Sequence, residues 1–172
     1  MNGRRVLLVD ADPQGSLSIS LGIKNPDELN KTLSDIMLKI MRDEPFDESF
    51  ALIRCGEGVD LMPCNIELSG IEASMFNAMS RESILKEYID RMRPKYDYIL
   101  IDLPPIGSVI DAAAVSGYVD GIIVAPVEGG ESAIRKAIDM KVPVVLLDRE
   151  PIPRPAGRHR LLRLAKDIVA LL

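Results

Sequence analysis

Two runs of aliphatic residues, each closed by an aspartate, constrain the fold of this chain more than any other feature: VLLV leading into Asp10 and YILI leading into Asp102. A strand with one wet face alternates apolar and polar residues. A run without alternation has to be covered on both faces, as strands inside a parallel sheet are. Gly121 to Ala125 and Val142 to Leu147 read the same way, and Val59 to Met62 before Pro63 supplies a further strand. Segments with helical spacing lie between these runs. Leu29, Leu33, Ile36, Met37 and Ile40 form one apolar stripe, and Ile84, Leu85, Tyr88, Ile89 and Met92 form another that stops before Pro94. Shorter helical stretches fall at Ala112 to Val115 and Ile134 to Ile138. The alternation predicts an α/β fold, a mostly parallel sheet with helices on both faces in three layers.

At 172 residues the chain is expected to form a single domain, 1–172, with a core of ordinary size. Residues 149–157 carry Pro151, Pro153 and Pro155 and predict a loop, and residues 158–171 predict a basic amphipathic helix. No apolar run reaches the ~20 residues that span a bilayer, so a cytoplasmic protein with no membrane span is the expectation. Cys55 and Cys64 are too few for a disulfide framework and lack metal-ligand spacing, which leaves them as ordinary thiols. The net charge is −5, but from Lys141 onward 7 basic residues face 3 acidic ones, +4, which leaves −9 for the first 140 residues. Bulk charge therefore argues against nucleic-acid binding, while a local basic patch remains open at the C-terminal end.

The chemistry-bearing residues gather where the first strand ends. Asp10 follows it directly, at the carboxyl edge of the expected sheet, where open α/β folds place their ligands. Asp12 comes two residues later and is held extended by Pro13. Asp-x-Asp-Pro also suits a plain turn after a strand. A second strand ending in a carboxylate at the same edge, Asp102, repeats the pattern by which an Asp is set near magnesium in phosphoryl-transfer sites.

With these residues in view, the chain resembles the ParA/MinD-type deviant-Walker ATPases that partition plasmids and chromosomes. Asp10, Asp12, Pro13, Gln14 and Gly15 match the family's D-x-D-P-Q-G switch block, and Val59 through Pro105 looks like its middle segment. The resemblance covers about two-thirds of the chain. It implies a P-loop NTPase-like fold that binds ATP and Mg²⁺. Asp10 would order the magnesium shell and Asp102 would be the Walker B carboxylate. Asp12 would be the catalytic residue that orients the attacking water, with Gln14 and Asp148 contacting the nucleotide. It further implies a homodimer, binding to DNA without sequence preference, and stimulation by a ParB-like partner.

Two departures shape what is expected of these residues. The family's Gly-rich loop, K-G-G-x-G-K-T, stands upstream of the switch block and holds the phosphates through backbone amides and lysines. The 172 residues contain no such loop, so the chain by itself is expected to hydrolyse ATP poorly and to expose sheet edge or apolar surface that the missing strand would cover. After the paired prolines, Pro104, Pro105, Asp111 and Ala112 look more like the bacterial tyrosine kinases of polysaccharide export, yet no tyrosine follows Tyr118. A non-catalytic interaction module is the other alternative. In the expected C-terminal helix, Leu161, Leu162, Ala165, Ile168 and Val169 share an apolar face. Arg158, Arg160, Arg163 and Lys166 supply either a solvated face or a DNA-phosphate contact. Gly129-Gly130-Glu131-Ser132 suits a strand-to-helix turn, and His159 carries no assigned role.

Overall fold

The computed structural model of the chain describes residues 3–56, 58–74, 81–104, 117–124 and 143–146. It divides into two compact units, Met1–Leu103 with Ala156–Leu172, and Pro104–Pro155.

In the first unit, strands β1 (Val6–Asp10), β2 (Ile53–Arg54), β3 (Val59–Met62) and β4 (Tyr98–Asp102) form a sheet of order β2-β3-β1-β4. β1 runs parallel to both of its neighbours, with Val6 beside Val59 on one side and beside Tyr98 on the other. β2 is antiparallel to β3 at the sheet margin, and its two residues are too few for any hydrophobic pattern to announce it. All five positions of β1 are buried, so both of its faces are covered and the lack of alternation in its sequence follows.

Successive side chains of a strand point to opposite faces. On one face of β1, Val6 and Leu8 join Leu21, Cys55, Val59 and Leu61 in a buried cluster, with Leu17, Ile23, Ile53, Tyr98 and Leu100 packed at its margin. On the other face Leu7 and Val9 are fully buried as well.

Among the described residues four helices accompany the sheet: α1 (Ser16–Ser20), α2 (Leu33–Met41), α3 (Glu67–Ser74) and α4 (Arg81–Met92). α2 packs on both α3 and α4. The expected stripes form this contact, since Leu33, Ile36 and Met37 of α2 and Leu85, Tyr88 and Met92 of α4 are fully buried. Each large apolar side chain so placed contributes about 1.5–3 kcal/mol relative to exposure.

Leu29, expected on the first stripe, lies outside the helix. Pro26–Glu28 form a single 3₁₀ turn that ends at Leu29, and the chain is extended there before α2 begins. The start of α2 is set at Thr32, whose N–H donates to the Asp35 carboxylate at 2.8 Å and so occupies a donor that the helix itself cannot satisfy. α4 ends at Met92 as expected, and Pro94 falls in the 3₁₀ turn Arg93–Lys95 that follows.

In the second unit, β5 (Ile122–Val124) and β6 (Val144–Leu146) pair in parallel, each inside the run expected for it and shorter by a residue or more at both ends. The helical stretches at 112–115 and 134–138, the loop at 149–157 and the helix at 158–171 lie outside the described residues. The sheet is thus mostly parallel, as the aliphatic runs predict, with β2 as its antiparallel addition.

Candidate functional site

Parallel pairing brings the ends of β1 and β4 together. Asp10 and Asp102 are register partners, and the Ala11 N–H donates to the Asp102 carbonyl at 2.9 Å, which extends the ladder one residue past β1. Neighbouring strands lie about 4.8 Å apart and register partners share a face, so the two carboxyl groups stand side by side at the carboxyl edge.

Asp10 lies on the same face as Val6 and Leu8, the side on which Leu21 joins the buried cluster and Leu17 packs at its margin. It is fully buried. Its Oδ2 accepts two hydrogen bonds from one residue of α1, the Ser18 N–H at 2.8 Å and the Ser18 hydroxyl at 2.7 Å. Its Oδ1 accepts a single long bond, 3.4 Å, from the Asp12 N–H. Burial raises the pKa of Asp10, an effect that the Ser18 bonds oppose.

Asp12 organises the loop that follows. Its Oδ1 accepts the Gln14 N–H at 2.9 Å and its carbonyl accepts the Gly15 N–H at 2.9 Å, a side-chain turn nested in a backbone turn. Gly15 then takes φ 61°, a left-handed conformation natural to glycine, and opens α1. A Cβ at that position would come within 3.1 Å of the Cys64 carbonyl and 3.2 Å of the Pro26 ring. The match of Gly15 to the switch block therefore has a steric reason here.

Asp102 remains exposed at the end of β4. The protein body beside its carboxyl, followed by the negative charges of Asp10 and Asp12, pushes its pKa up to about 6. The charges of Asp10 and Asp12 thus both bear on Asp102. Gln14 stands on the same loop and is exposed. Asp148, Arg158, Arg160, Arg163 and Lys166 lie outside the described residues.

The wall behind this cluster is the loop after β3, held by three elements. The Cys64 N–H donates to the Ser18 hydroxyl at 3.3 Å, the Ile66 N–H to the Asp27 carboxylate at 3.1 Å, and the Leu33 N–H to the Pro63 carbonyl at 2.8 Å. Behind it the buried hydroxyls of Thr32 and Ser34 both donate to the side-chain oxygen of Asn65, at 3.5 and 3.3 Å. Ser18 and Asn65 belong to no motif or stripe of the sequence. One faint signal exists in SLSIS: a serine pattern beside a strand-terminal aspartate, with an isoleucine that the core does not take. In α1, Ser18 is fully buried while Ile19 is 51% exposed, the reverse of their hydrophobicities.

The donor set suits a divalent cation of one kind. The negative charge of Asp12 acts on Asp10, and the charges of Asp10 and Asp12 act on Asp102. Yet among the described residues no three acidic, histidine or cysteine side chains come close enough to cage a bare metal. Two carboxylates at one strand edge suit magnesium, which keeps several waters and binds through one or two carboxylates together with phosphate oxygens.

A family model described as an AAA domain matches residues 1–135. Among curated proteins the chain is similar to the ParA family protein of Mycoplasma pneumoniae, 33% identical over 129 residues that cover 73% of this chain and 47% of that protein. It is also similar to the sporulation initiation inhibitor protein Soj of Bacillus subtilis, 37% identical over 103 residues, 60% of this chain and 39% of Soj. The chain spans less than half the length of these curated relatives. Among solved structures it resembles the cobyrinic acid a,c-diamide synthase of Mycobacterium smegmatis with bound ATP analog and magnesium. The TM-score is 0.70 at 28% identity, covering 96% of this chain and 68% of that one. A plasmid partition protein from Borrelia burgdorferi shares the fold at a TM-score of 0.65 and 20% identity, over 96% of this chain and 73% of that one.

Proposed function

Because the chain belongs to the ParA/MinD-type P-loop ATPases, we propose that its carboxylate edge is the switch-and-magnesium half of a deviant-Walker nucleotide site serving DNA partitioning. The observation that carries this reading is the register pairing of Asp10 with Asp102, with Asp12 on the loop just beyond. Asp10 and Asp102 would hold the magnesium ion, Asp10 by ordering its shell and Asp102 as the Walker B carboxylate. When bound, magnesium neutralises charge on the phosphate oxygens. Asp12 accepts a hydrogen bond from the attacking water and orients it, and Gln14 and Asp148 contact the nucleotide.

Phosphoryl transfer asks a protein for positioning and charge stabilisation. The phosphate-cradling loop K-G-G-x-G-K-T is not among these 172 residues, so turnover by this chain alone is expected to be low. In the same reading the ATP-bound form is a cytoplasmic homodimer, and Arg158, Arg160, Arg163 and Lys166 contact DNA phosphates without sequence preference. A ParB-like protein stimulates hydrolysis.

Calorimetric titration with ATP, with magnesium and with a chelator in its place, tests this reading. Binding that magnesium strengthens is the expected result, with Asp102→Asn reducing the magnesium-dependent gain and Asp12→Ala preserving binding while removing residual turnover. Absence of nucleotide binding under both conditions rejects the reading and favours a non-catalytic interaction module. For the DNA contact, affinity should fall steeply with salt and weaken when Arg158, Arg160 and Arg163 become alanine.

A further inference from the structure

We infer that Ser18 is the positioning residue of this site: it occupies one oxygen of Asp10 and leaves the other to the magnesium shell. The inference rests on the reading of Asp10 proposed above.

A buried aspartate at the end of a strand has two equivalent oxygens and a rotatable carboxyl group. Here the two are made unequal by one side chain. Oδ2 accepts both the N–H and the hydroxyl of Ser18, at 2.8 and 2.7 Å, while Oδ1 receives only the 3.4 Å approach of the Asp12 N–H. The Ser18 hydroxyl is itself fixed, because it accepts the Cys64 N–H at 3.3 Å. Its single proton goes to Asp10 and its lone pair to β3's outgoing loop, so it has no rotamer of equal quality. Ser18 is fully buried, so its hydroxyl is held against Oδ2 away from bulk water. The cost is visible next door, where Ile19 is turned out of the core at 51% exposure so that Ser18 can be turned in.

A carboxylate with one oxygen so occupied offers a cation a single oxygen. Magnesium accepts that arrangement, whereas calcium favours more oxygens and bidentate carboxylates. Groups that orient a metal-binding side chain from behind typically account for about 10–100-fold in metal affinity. Ser18 thereby both strengthens magnesium and discriminates against calcium.

The experiment is calorimetry of the purified chain with a non-hydrolysable ATP analogue in magnesium, in calcium and in chelator, comparing wild type, Ser18→Ala and Ser18→Thr. Ser34→Ala, which removes another buried hydroxyl, serves as the control for a purely structural loss. The expected result for Ser18→Ala is a loss of about 10–100-fold in the magnesium-dependent gain, with calcium less affected. Binding in chelator should stay as in wild type. Ser18→Thr should keep the magnesium preference, and Ser34→Ala should leave it unmoved. Should Ser18→Ala fail to fold, as judged by its melting curve, the near-isosteric Ser18→Cys, a weak donor, takes its place with the same expectation. A wild-type magnesium gain that these variants leave intact overturns the role of Ser18 alone. A wild type that binds no analogue in any condition overturns the nucleotide-site reading, and the role of Ser18 with it.

Discussion

Gly15 and Asp102 show how far single residues are specified by this edge. At Gly15 the left-handed φ of 61° coincides with a backbone carbonyl and a proline ring placed where a Cβ would go. Gly15→Ala should therefore destabilise the chain by about 1–3 kcal/mol, measured by chemical denaturation, since both strain and overlap oppose it. Asp102 makes a prediction about pH. Its folded pKa, about 6, lies above its ordinary 3.8, so the folded chain keeps a proton there that the unfolded chain has lost. Its contribution to stability is full below the ordinary value and disappears as pH rises through about 6. Asp102→Asn should then gain stability relative to wild type on going from pH 4 to pH 7, by less than about 1 kcal/mol because the group is exposed and solvent screens it. An equal difference at both pH values would remove Asp10 and Asp12 as its electrostatic partners.

Among the elements, the α2 and α4 pair offers two measurements of opposite sign. The Tyr88 ring of α4 is fully buried, yet its hydroxyl has no hydrogen-bond partner among the described residues, and burial pushes its pKa well above the ordinary tyrosine value. Tyr88→Phe should raise the denaturation midpoint, with a gain of about 1 kcal/mol, because an unsatisfied buried hydroxyl is removed and the ring is kept. Asp35→Ala should lower stability by about 0.5–2 kcal/mol by exposing the Thr32 N–H at the start of α2. These helices were legible in the sequence because a 3.6-residue stripe survives in any helix that buries one face. β1 was legible because burial on both faces removes polar residues from a run; β4 carries a similar apolar run yet is only half-buried, at the end of the sheet order, and β3 admits the half-buried Asp60. β2 was not legible, being two residues long and fixed by its partner β3. Leu29 misled, since a 3₁₀ turn at Pro26 interrupts a spacing that looks continuous. Asp10, Asp12 and Asp102 could be read as a cluster because strand ends of a parallel sheet share an edge. Ser18 could not, because its role depends on a contact between side chains eight positions apart on different elements.

At the scale of the whole molecule, β1 has one neighbour on each side, and both come from far along the chain: Val9 pairs with Met62 and with Ile101. Sequence separations of this size make a fold slow to close, because loop entropy is lost before any pairing rewards it. Synthesis adds a second delay. A ribosome adding roughly 5–20 residues per second needs about 5–20 s to move from the end of β1 to the end of β4. Through that interval the most apolar strand of the sheet waits with its β4 side unfilled. The same register that assembles the carboxylates therefore makes the nascent chain a client for chaperones. Ribosome-bound chains arrested before Tyr98 should be captured by a hydrophobic holdase, and those arrested well beyond Asp102 should escape it.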